Sequence, residues 1–204
     1  MSLRIQDLPK EKYVLPGHTA CPGCPEAIGL KYVGMALGRR VVLVVPAGCT
    51  SIIQGIMPGC GIAMTIINVP FASATAVASG IAVAKEFSED DLIPVVWAGD
   101  GATGDIGFAT LSGAAERNDD IIYICVDNEA YMNTGIQRSS LTPYGAWTTT
   151  TVKGKREGKK EVPLIMLLHK VPYVATASIG YPLDFIEKLR KASTIKGFKY
   201  IHLH

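Results

Sequence analysis

The stretch richest in chemically useful residues is "GDGATGDIGF", at positions 99–108. It follows the apolar run "LIPVVWA", which is typical of a buried strand. Its glycines match the dinucleotide-binding spacing G-x-G-x-x-G, and Asp127 closes the next apolar run about where that motif has its acidic residue. Asp100 does not fit this interpretation, because it places a carboxylate inside a loop that would hold an anionic pyrophosphate.

A divalent cation would remove the conflict at Asp100. Proteins bind Mg²⁺ through one or two of their own oxygens together with phosphate oxygens of a ligand. A second oxygen ligand should then come from the end of the neighbouring strand, where Asn128 follows "IIYICVD". The dinucleotide interpretation explains the glycines and Asp127 but neither Asp100 nor Asn128. It also expects the glycine motif on the first strand of the fold rather than this far along the chain.

The cysteines form a second group that could do chemistry. Cys21 and Cys24 make a C-x-x-C pair just before a predicted helix, which suits a zinc half-site, a redox dithiol or half of an iron–sulfur site. Cys49 lies just after the strand "VVLVV", on the ligand side of the predicted sheet, where it can converge with the pair. Cys125 lies within a strand and is predicted to be a core residue. Cys60, in "MPGCGI", is interpreted as structural rather than as a ligand.

The elements that must position these residues alternate along the chain. Strands alternating with helices indicate an α/β fold with a doubly wound, mostly parallel sheet. Ligands of such sheets bind beyond the carboxyl ends of the strands, where Asp100 and Asp127 both fall. The predicted strands are Val41–Val45, the runs before Gly99 and up to Asp127, Tyr173–Ala177 and "KYIHLH". The predicted helices are Glu26–Leu37, a small-residue helix ending near Phe87, Ile106–Arg117, Pro163–His169 and Pro182–Ala192.

Three segments receive a structural interpretation. Gly61–Ala84 carries no charge and is long enough to cross a bilayer, but Asn68 and Pro70 interrupt it. We therefore predict a short strand, a turn and a buried helix of small residues. Asp105 is predicted to cap the helix that follows it. The basic run Lys153–Lys160, "KGKREGKK", is predicted to be a solvated loop rather than a docking site for an acidic partner.

Composition narrows the function classes. Hydrophobic residues make up 48% of the 204 positions, which is enough for a sizeable core. The net charge of +2 gives no case for nucleic acid or an anionic membrane as a partner. The opening residues contain no apolar signal region, so we expect a reducing cytoplasm as the location. There, clustered cysteines indicate metal or redox work rather than disulfides.

The spacing between "GDG" and Asn128 resembles the thiamine diphosphate motif. In that family the metal is held by the Asp, the Asn and a backbone carbonyl two residues later. The resemblance therefore implies a Mg²⁺ site formed by Asp100, Asn128 and the carbonyl of Ala130. The residues that it implies for contacts with the cofactor are Cys49, Gly99, Asp100, Gly101, Ala102, Asn128 and Thr134.

The order of several motifs resembles one family more closely. They are "GHTACPGC", "AGCTSI", "GDGATGDIGF", "AERND", "DNEAYMNTGIQRSS" and "ATAS", and together they resemble the β subunit of 2-oxoacid:ferredoxin oxidoreductases, particularly the pyruvate type. The resemblance implies one thiamine diphosphate-binding domain over residues 1–204 with an N-terminal iron–sulfur ligand segment. It implies that Cys21, Cys24 and Cys49 ligate a [4Fe-4S] cluster close to the thiazolium. It also implies that Asn133 faces the substrate as a catalytic residue.

The implied activity is oxidative decarboxylation of a 2-oxoacid, with pyruvate the first candidate, to acyl-CoA and CO₂ with electrons passed to ferredoxin. In this family the glutamate that acts on the aminopyrimidine ring lies in another domain, so a partner subunit must complete the site. Glu26 and Glu129 are available here, but their sequence positions do not suit that task. We expect the chain to be inactive alone and the partner to determine much of the choice of 2-oxoacid.

The iron–sulfur expectation leaves the fourth cluster ligand open. The family supplies it from just beyond the last strand, and this sequence stops at His204. We expect the sequence to be a fragment whose fourth cysteine lies further on, with Cys60 or a partner residue as the alternatives. Two other functions stay open at this point. One is a non-redox thiamine diphosphate decarboxylase or carboligase domain, and the other is a zinc-stabilised nucleotide-binding module.

Overall fold

Six parallel strands form the sheet on which the molecule is built, in the spatial order β2-β1-β3-β4-β6-β5. The computed structural model describes residues 4–56, 58–88 and 90–204. The sheet confirms the predicted α/β class, and its described strand pairs are all parallel. The strands are β1 (Val41–Pro46), β2 (Thr65–Val69), β3 (Ile93–Gly99), β4 (Ile122–Val126), β5 (Tyr173–Ala177) and β6 (Lys199–Leu203).

Helices cover both faces of the sheet, as the doubly wound prediction requires. Helices α3, α4 and α5 pack on one face, and α1 and α6 pack on the other. The short helix α2 follows β1 directly and was not predicted. The helices are α1 (Pro25–Leu37), α2 (Cys49–Gln54), α3 (Ala74–Ala84), α4 (Phe108–Arg117), α5 (Val162–Leu168) and α6 (Pro182–Ser193).

Apart from Lys199 and His202 of β6, the interior strands are largely apolar, because helices cover both faces of the sheet. Every residue of β1, β4 and β6 is buried, whereas the edge strands β2 and β5 are partly exposed. β-Branched residues dominate β1, and such side chains suit the pleated surface of a strand. The continuous apolar runs in the sequence therefore correspond to the strands that lie inside the sheet.

The uncharged segment Gly61–Ala84 folds as predicted into β2, a turn after Pro70 and the helix α3, but only one face of that helix is buried. Ala74, Ala78 and Ala82 recur every four residues on the inner face of α3 and are at most 6% exposed. Their small side chains allow the helix axis to approach β1 and β3 closely. Among the residues described, no helix combines the length and hydropathy needed to cross a membrane.

Two local predictions were wrong. The chain after Gly101 forms a wide π-type turn over Ala102–Ile106 before α4 begins at Phe108. Asp105 lies within that turn and does not cap α4. Its carboxylate instead accepts hydrogen bonds from the hydroxyl of Tyr131 and the backbone N–H of Ser140. Loop packing therefore overrides the capping preference at this position.

The basic run Lys153–Lys160 is the second correction, because it is only partly solvated. Lys155 is 1% exposed and its ammonium group points into the loop that precedes α5. Lys159 forms an ion pair with Asp127 at 2.7 Å. Lys160 donates to the carbonyl of Gly104 and lies 4.9 Å from the centre of the Phe108 ring. The exposed cations of the run are Lys153 and Arg156.

The strand order creates a crevice at one place on the carboxyl edge of the sheet. The connection after β1 leads outward to β2, and the chain then returns across β1 to form β3. The loops after β1 and β3 therefore diverge, which is the arrangement that places ligand sites in doubly wound sheets. Cys49 follows β1 and Asp100 follows β3, so both predicted site residues lie at this crevice.

Candidate functional site

A cavity of about 250 Å³ opens at the crevice between β1 and β3. Glu26 on α1 and Trp97 on β3 form part of its inner wall, and Phe71 borders it from the segment after β2. The remaining lining comes from segments 46–52, 99–102 and 130–134 and from Asn128. The three loops that the sequence analysis selected therefore surround one cavity.

Asp100 is an acidic group in an unfavourable place for a charge. It is 1% exposed, and burial, together with the charge of Asp127, raises the pKa of its carboxyl group to about 7. The hydroxyl of Ser139 donates to Oδ2 of Asp100 and opposes that rise. A cation beside Oδ1 would stabilise the ionised carboxylate, since an adjacent opposite charge favours the charged form.

Asn128 and Ala130 bring two further polar atoms to the same point. One terminal atom of the Asn128 amide lies 2.8 Å from the carbonyl oxygen of Ala130 and 3.2 Å from Oδ1 of Asp100. If that atom is the amide nitrogen, it donates to both oxygens. If it is the amide oxygen, three oxygens face one another and need a cation between them, and such oxygen sets suit Mg²⁺. The predicted ligand residues thus converge, and their donor atoms fit the metal.

The turn that carries Asn128 and Ala130 is held in an unusual backbone conformation. Glu129 has a φ of 67°, in the left-handed region that non-glycine residues rarely adopt. Oδ1 of Asp127 accepts the backbone N–H of Glu129 at 3.0 Å, and the hydroxyl of Thr142 donates to the Glu129 carbonyl. These bonds fix the strained turn, and such strain is commonly found at ligand-binding positions.

Asp127 forms close contacts with Lys159 and His202. Its Oδ2 accepts from Lys159 Nζ at 2.7 Å and lies 3.0 Å from Nε2 of His202. Burial alone would raise the pKa of Asp127, but the contacts with His202 and Lys159 outweigh it and the pKa is lowered. Asp127, His202 and His204 could hold a metal by spacing alone, but the Lys159 ammonium already supplies positive charge there. Asp127 is therefore not free to bind a ribose, which argues against the dinucleotide interpretation.

Two glycines of the motif are required by close packing rather than by backbone conformation. A Cβ on Gly101 would lie 2.3 Å from the Tyr131 ring, and one on Gly104 would lie 2.3 Å from Leu141. At Gly99, by contrast, a Cβ would meet nothing within 4 Å. Since Gly99 borders the cavity, the space beside it is open to a ligand. Gly101 and Gly104 thus allow two loops to pack closely, and Gly99 leaves open space at the cavity wall.

Glu26 belongs to the site although its sequence position did not suggest it. Its carboxyl group is buried, and burial raises its pKa. Oε2 accepts from the Thr50 hydroxyl at 2.7 Å, and that hydroxyl oxygen accepts from Trp97 Nε1 at 3.0 Å. Oε1 lies 3.4 Å from Nδ2 of Asn128. No signal in the sequence distinguished it, because an acidic residue in the first turn of a helix is common.

The three cysteines of the predicted cluster site lie at or just before the starts of two helices. The Cys24 N–H donates to the Cys21 carbonyl at 3.0 Å, which forms a turn just before α1. Cys49 begins α2 and lines the cavity. Burial, together with the charge of Glu26, raises the pKa of the Cys49 thiol to about 11.

The arrangement of the thiols bears on the kind of metal that they could hold. In the described part of the chain, Cys21, Cys24 and Cys49 are not a set whose ligand atoms all lie within 4.8 Å. They are therefore not closed around a single ion, whereas a four-iron cube holds its thiolates further apart. Cys60 lies outside the cavity and contacts the Ile62 carbonyl at 3.5 Å. Cys125 is fully buried in β4, as predicted.

Asn133 and Thr134 lie at the mouth of the cavity and are both exposed. Nδ2 of Asn133 lies 3.4 Å from the Gly48 carbonyl, which joins the loop after β4 to the loop after β1. The Thr134 hydroxyl is 3.4 Å from the Tyr131 carbonyl and also contacts Gln137. Both residues therefore border the space that a ligand would enter.

Comparison with known sequences agrees with the geometry of the site. Residues 47–203 match the family model for the C-terminal, thiamine pyrophosphate-binding domain of thiamine pyrophosphate enzymes. Pyruvate synthase subunit PorB of Methanothermobacter thermautotrophicus is 51% identical over 203 residues, covering 97% of this chain and 70% of that protein. Ketoisovalerate oxidoreductase subunit VorB of Pyrococcus furiosus is 50% identical over 207 residues, covering 96% of this chain and 67% of that protein.

Solved structures that are less similar in sequence also match the fold of this chain. A 2-oxoglutarate:ferredoxin oxidoreductase from Magnetococcus marinus superposes with a TM-score of 0.82 at 27% identity, covering 100% of this chain and 70% of that chain. Benzoylformate decarboxylase from Polynucleobacter necessarius has a TM-score of 0.60 at 16% identity, covering 94% of this chain and 35% of that chain. The second likeness is one of fold alone.

Proposed function

The chain belongs to the β subunits of the 2-oxoacid:ferredoxin oxidoreductases and contains their thiamine diphosphate-binding domain, and from this membership we propose its specific role. It binds thiamine diphosphate and Mg²⁺ in the cavity between β1 and β3 and carries a [4Fe-4S] cluster beside it. With a partner subunit it decarboxylates a 2-oxoacid oxidatively to acyl-CoA, and ferredoxin accepts the electrons.

The observation that carries the proposal is the meeting of Asp100, Asn128 and the Ala130 carbonyl at one point. Asp100 and Ala130 present oxygens, and the Asn128 amide can present either its oxygen or its nitrogen. Glu26 favours the first orientation, because its buried Oε1 lies 3.4 Å from Nδ2 of Asn128. An amide nitrogen directed to Glu26 leaves the amide oxygen directed to the metal. Glu26 thus acts on the metal site through Asn128.

The same loops also provide the space for the diphosphate of the cofactor. The open space beside Gly99 and the bound cation would accept the diphosphate, whose charge the buried Asp100 carboxylate would otherwise repel. When bound, thiamine diphosphate supplies a thiazolium that accepts the electron pair released as a 2-oxoacid loses CO₂. Asn133 at the cavity mouth offers an amide donor to the substrate carboxylate or carbonyl. The buried Trp97 and the partly buried Phe71 keep water from the inner part of the cavity.

Cys21, Cys24 and Cys49 are the residues that would hold the cluster. Thiolates are the usual ligands of iron–sulfur clusters, and a [4Fe-4S] cluster takes four. In its protonated state the Cys49 thiol is stabilised by burial, so a positively charged iron centre is needed to hold it as a thiolate. The fourth ligand is proposed to lie outside the 204 residues, since Cys125 is fully buried in β4 and the Cys60 thiol contacts the Ile62 carbonyl.

A partner subunit is proposed because the cavity is incomplete. Ile52 and Met132 line it and remain 54% and 39% exposed. Apolar groups at the rim of a ligand site are suited to being covered by another chain. Glu129 is not a cavity residue, and Glu26 is already bonded to Thr50 and Asn128, so neither is free to act on the aminopyrimidine ring.

Pyruvate is the substrate that we propose, with ketoisovalerate as the second candidate. The relatives named for these two acids are almost equally similar to this chain, at 51% and 50% identity. The test is the 2-oxoacid profile of the complex reconstituted with thiamine diphosphate, Mg²⁺ and CoA, measured as reduction of a viologen dye. We expect kcat/KM for pyruvate to exceed that for ketoisovalerate. The reverse order would overturn the choice of acid but not the reaction.

A further inference from the structure

Lys155 is a buried cation that the proposed reaction does not use. Its side chain is 1% exposed. Its Nζ donates to the carbonyl oxygens of Ser140 at 2.9 Å and Thr142 at 2.5 Å, with the Gly158 carbonyl at 3.4 Å. Three carbonyl dipoles around one buried positive charge form the kind of site that proteins also use for a monovalent metal ion.

The carbonyls belong to a turn that touches both ligand-bearing segments of the cavity. We call residues 139–142 the clamp turn. Its Ser139 hydroxyl donates to Oδ2 of Asp100, and its Thr142 hydroxyl donates to the carbonyl of Glu129. The turn is closed on itself by the Ser139 N–H, which donates to the Thr142 hydroxyl at 2.9 Å. One short segment therefore contacts the loop after β3 and the loop after β4.

Lys155 contacts the clamp turn through its main-chain carbonyls, whereas the turn contacts Asp100 and Glu129 through its hydroxyls. Two of its three carbonyl partners are in the turn, and the third, Gly158, is in the following loop. Without the ammonium group, the three carbonyls would lose their shared donor, although the Ser140 carbonyl would keep the Lys160 N–H at 2.9 Å. Their mutual repulsion would displace the turn and with it the hydroxyls that hold the two ligand segments.

We propose that Lys155 is a positioning residue whose ammonium group occupies a built-in monovalent cation site, and that this tethered cation fixes the clamp turn and thereby the separation of Asp100 from the Asn128–Ala130 turn. The link to the metal rests on the proposed function. The cation site itself does not, because it is made of carbonyls of this chain alone.

The proposal predicts different responses to added cations for two variants, Lys155→Ala and Lys155→Met. Lys155→Ala removes the side chain beyond Cβ and leaves room for a free cation among the carbonyls. NH₄⁺ and K⁺ are close to an ammonium group in size, whereas Li⁺ is too small and tetramethylammonium too large. Lys155→Met keeps an apolar chain of similar length and blocks the same space. Lys153→Ala, which removes an exposed lysine from the same run, is the matched control.

The first test is thermal unfolding of the cofactor-free complex in chlorides of the four cations at equal ionic strength. We expect Lys155→Ala to have a lowered Tm that NH₄⁺ and K⁺ raise and Li⁺ and tetramethylammonium do not. Lys155→Met should have a lowered Tm that no cation restores, and the wild type and Lys153→Ala should not distinguish the cations. Lys155→Ala that responds equally to all four salts, or is unfolded in all of them, overturns the cation site.

The second test measures the link to the metal, in the full complex stripped of cofactor. Calorimetric titration in lithium chloride should give a Kd for Mg²⁺-dependent thiamine diphosphate binding about 10- to 100-fold higher for Lys155→Ala than for the wild type, as for other residues that support metal ligands. Potassium chloride should restore it. If the wild type binds the cofactor and Lys155→Ala binds it equally in both salts, the positioning role is wrong. If the wild type shows no Mg²⁺-dependent binding, the proposed function fails while the unfolding result stands.

Discussion

Replacing Asp100 by asparagine separates the charge of this side chain from its shape. The variant keeps the size of the side chain and an oxygen that can accept from Ser139. What it loses is the negative charge that we propose to lie between the diphosphate and Mg²⁺. The account predicts opposite effects on thiamine diphosphate binding with and without the metal.

The magnitude follows from the geometry of a bound metal. A carboxylate oxygen lies about 2.1 Å from Mg²⁺, and a charge of −1 at that distance from +2 gains about 4 kcal/mol even at the dielectric constant of water. The Mg²⁺-supported Kd of Asp100→Asn should therefore rise about 10³-fold. Without metal, the wild-type carboxylate repels the diphosphate by about 1–2 kcal/mol. Asp100→Asn should then bind the cofactor more tightly than the wild type does.

The assay is calorimetric titration of the complex with thiamine diphosphate, once with Mg²⁺ and once with EDTA. The pH should lie well above 7, because burial raises the pKa of Asp100 to about 7 and the carboxylate must be ionised. Asp90→Asn makes the same chemical change at an exposed position and should alter neither titration. An unchanged Kd in Mg²⁺, or an equal loss of affinity in both titrations, would refute the metal-bridging argument.

Three further results are expected. Asn128→Ala should weaken Mg²⁺-supported binding less than Asp100→Asn does, because it removes a neutral ligand, and calorimetry showing a greater loss would contradict the charge argument. Cys49→Ser should leave the anaerobically reconstituted complex with less than half the wild-type iron in a colorimetric assay, and full iron content would remove Cys49 from the ligand set. Asp120→Asn leaves the Lys199 ammonium, 4% exposed, without a carboxylate at 2.5 Å and should cost about 2 kcal/mol at pH 7, less than the 3–5 kcal/mol of a fully buried pair. Burial alone would raise the pKa of Asp120, but its pairing with Lys199 prevails and lowers the pKa. The stabilisation by this ion pair is therefore present above about pH 4 and is lost as the pH falls through the folded-state pKa of Asp120. Urea unfolding that gives the same difference between variant and wild type at pH 3 and pH 7 would exclude the pair.

The fold was predictable because its signals are local. Continuous apolar runs of the length of strands, separated by helical segments, indicate a parallel sheet whose strands are covered on both faces. The helix α2 was missed because its six residues, Cys49–Gln54, are too few to show a period. Asp105 was assigned to a cap because capping preference is local, whereas its partners Tyr131 and Ser140 are distant in sequence.

The residues of the site also differ in whether their role could be recognised from the sequence. Asp100 and Asn128 could be identified because each has a side chain that contradicts the simpler interpretation of its loop. No such contradiction is visible in the sequence at Glu26, Ser139 or Lys155. Their importance comes from burial and from partners in other segments of the chain, which tertiary packing determines. A buried charge is informative, but its burial is visible only in the folded protein.

We propose that this chain holds thiamine diphosphate for an oxidative decarboxylation. The most direct measurement follows CO₂ release and viologen reduction together, in the anaerobic complex stripped of cofactor and supplied with pyruvate and CoA. The account predicts that both signals are absent without thiamine diphosphate and Mg²⁺ and appear together, in fixed proportion, when both are added. Viologen reduction without thiamine diphosphate, or CO₂ release without any reduction of the dye, would contradict it.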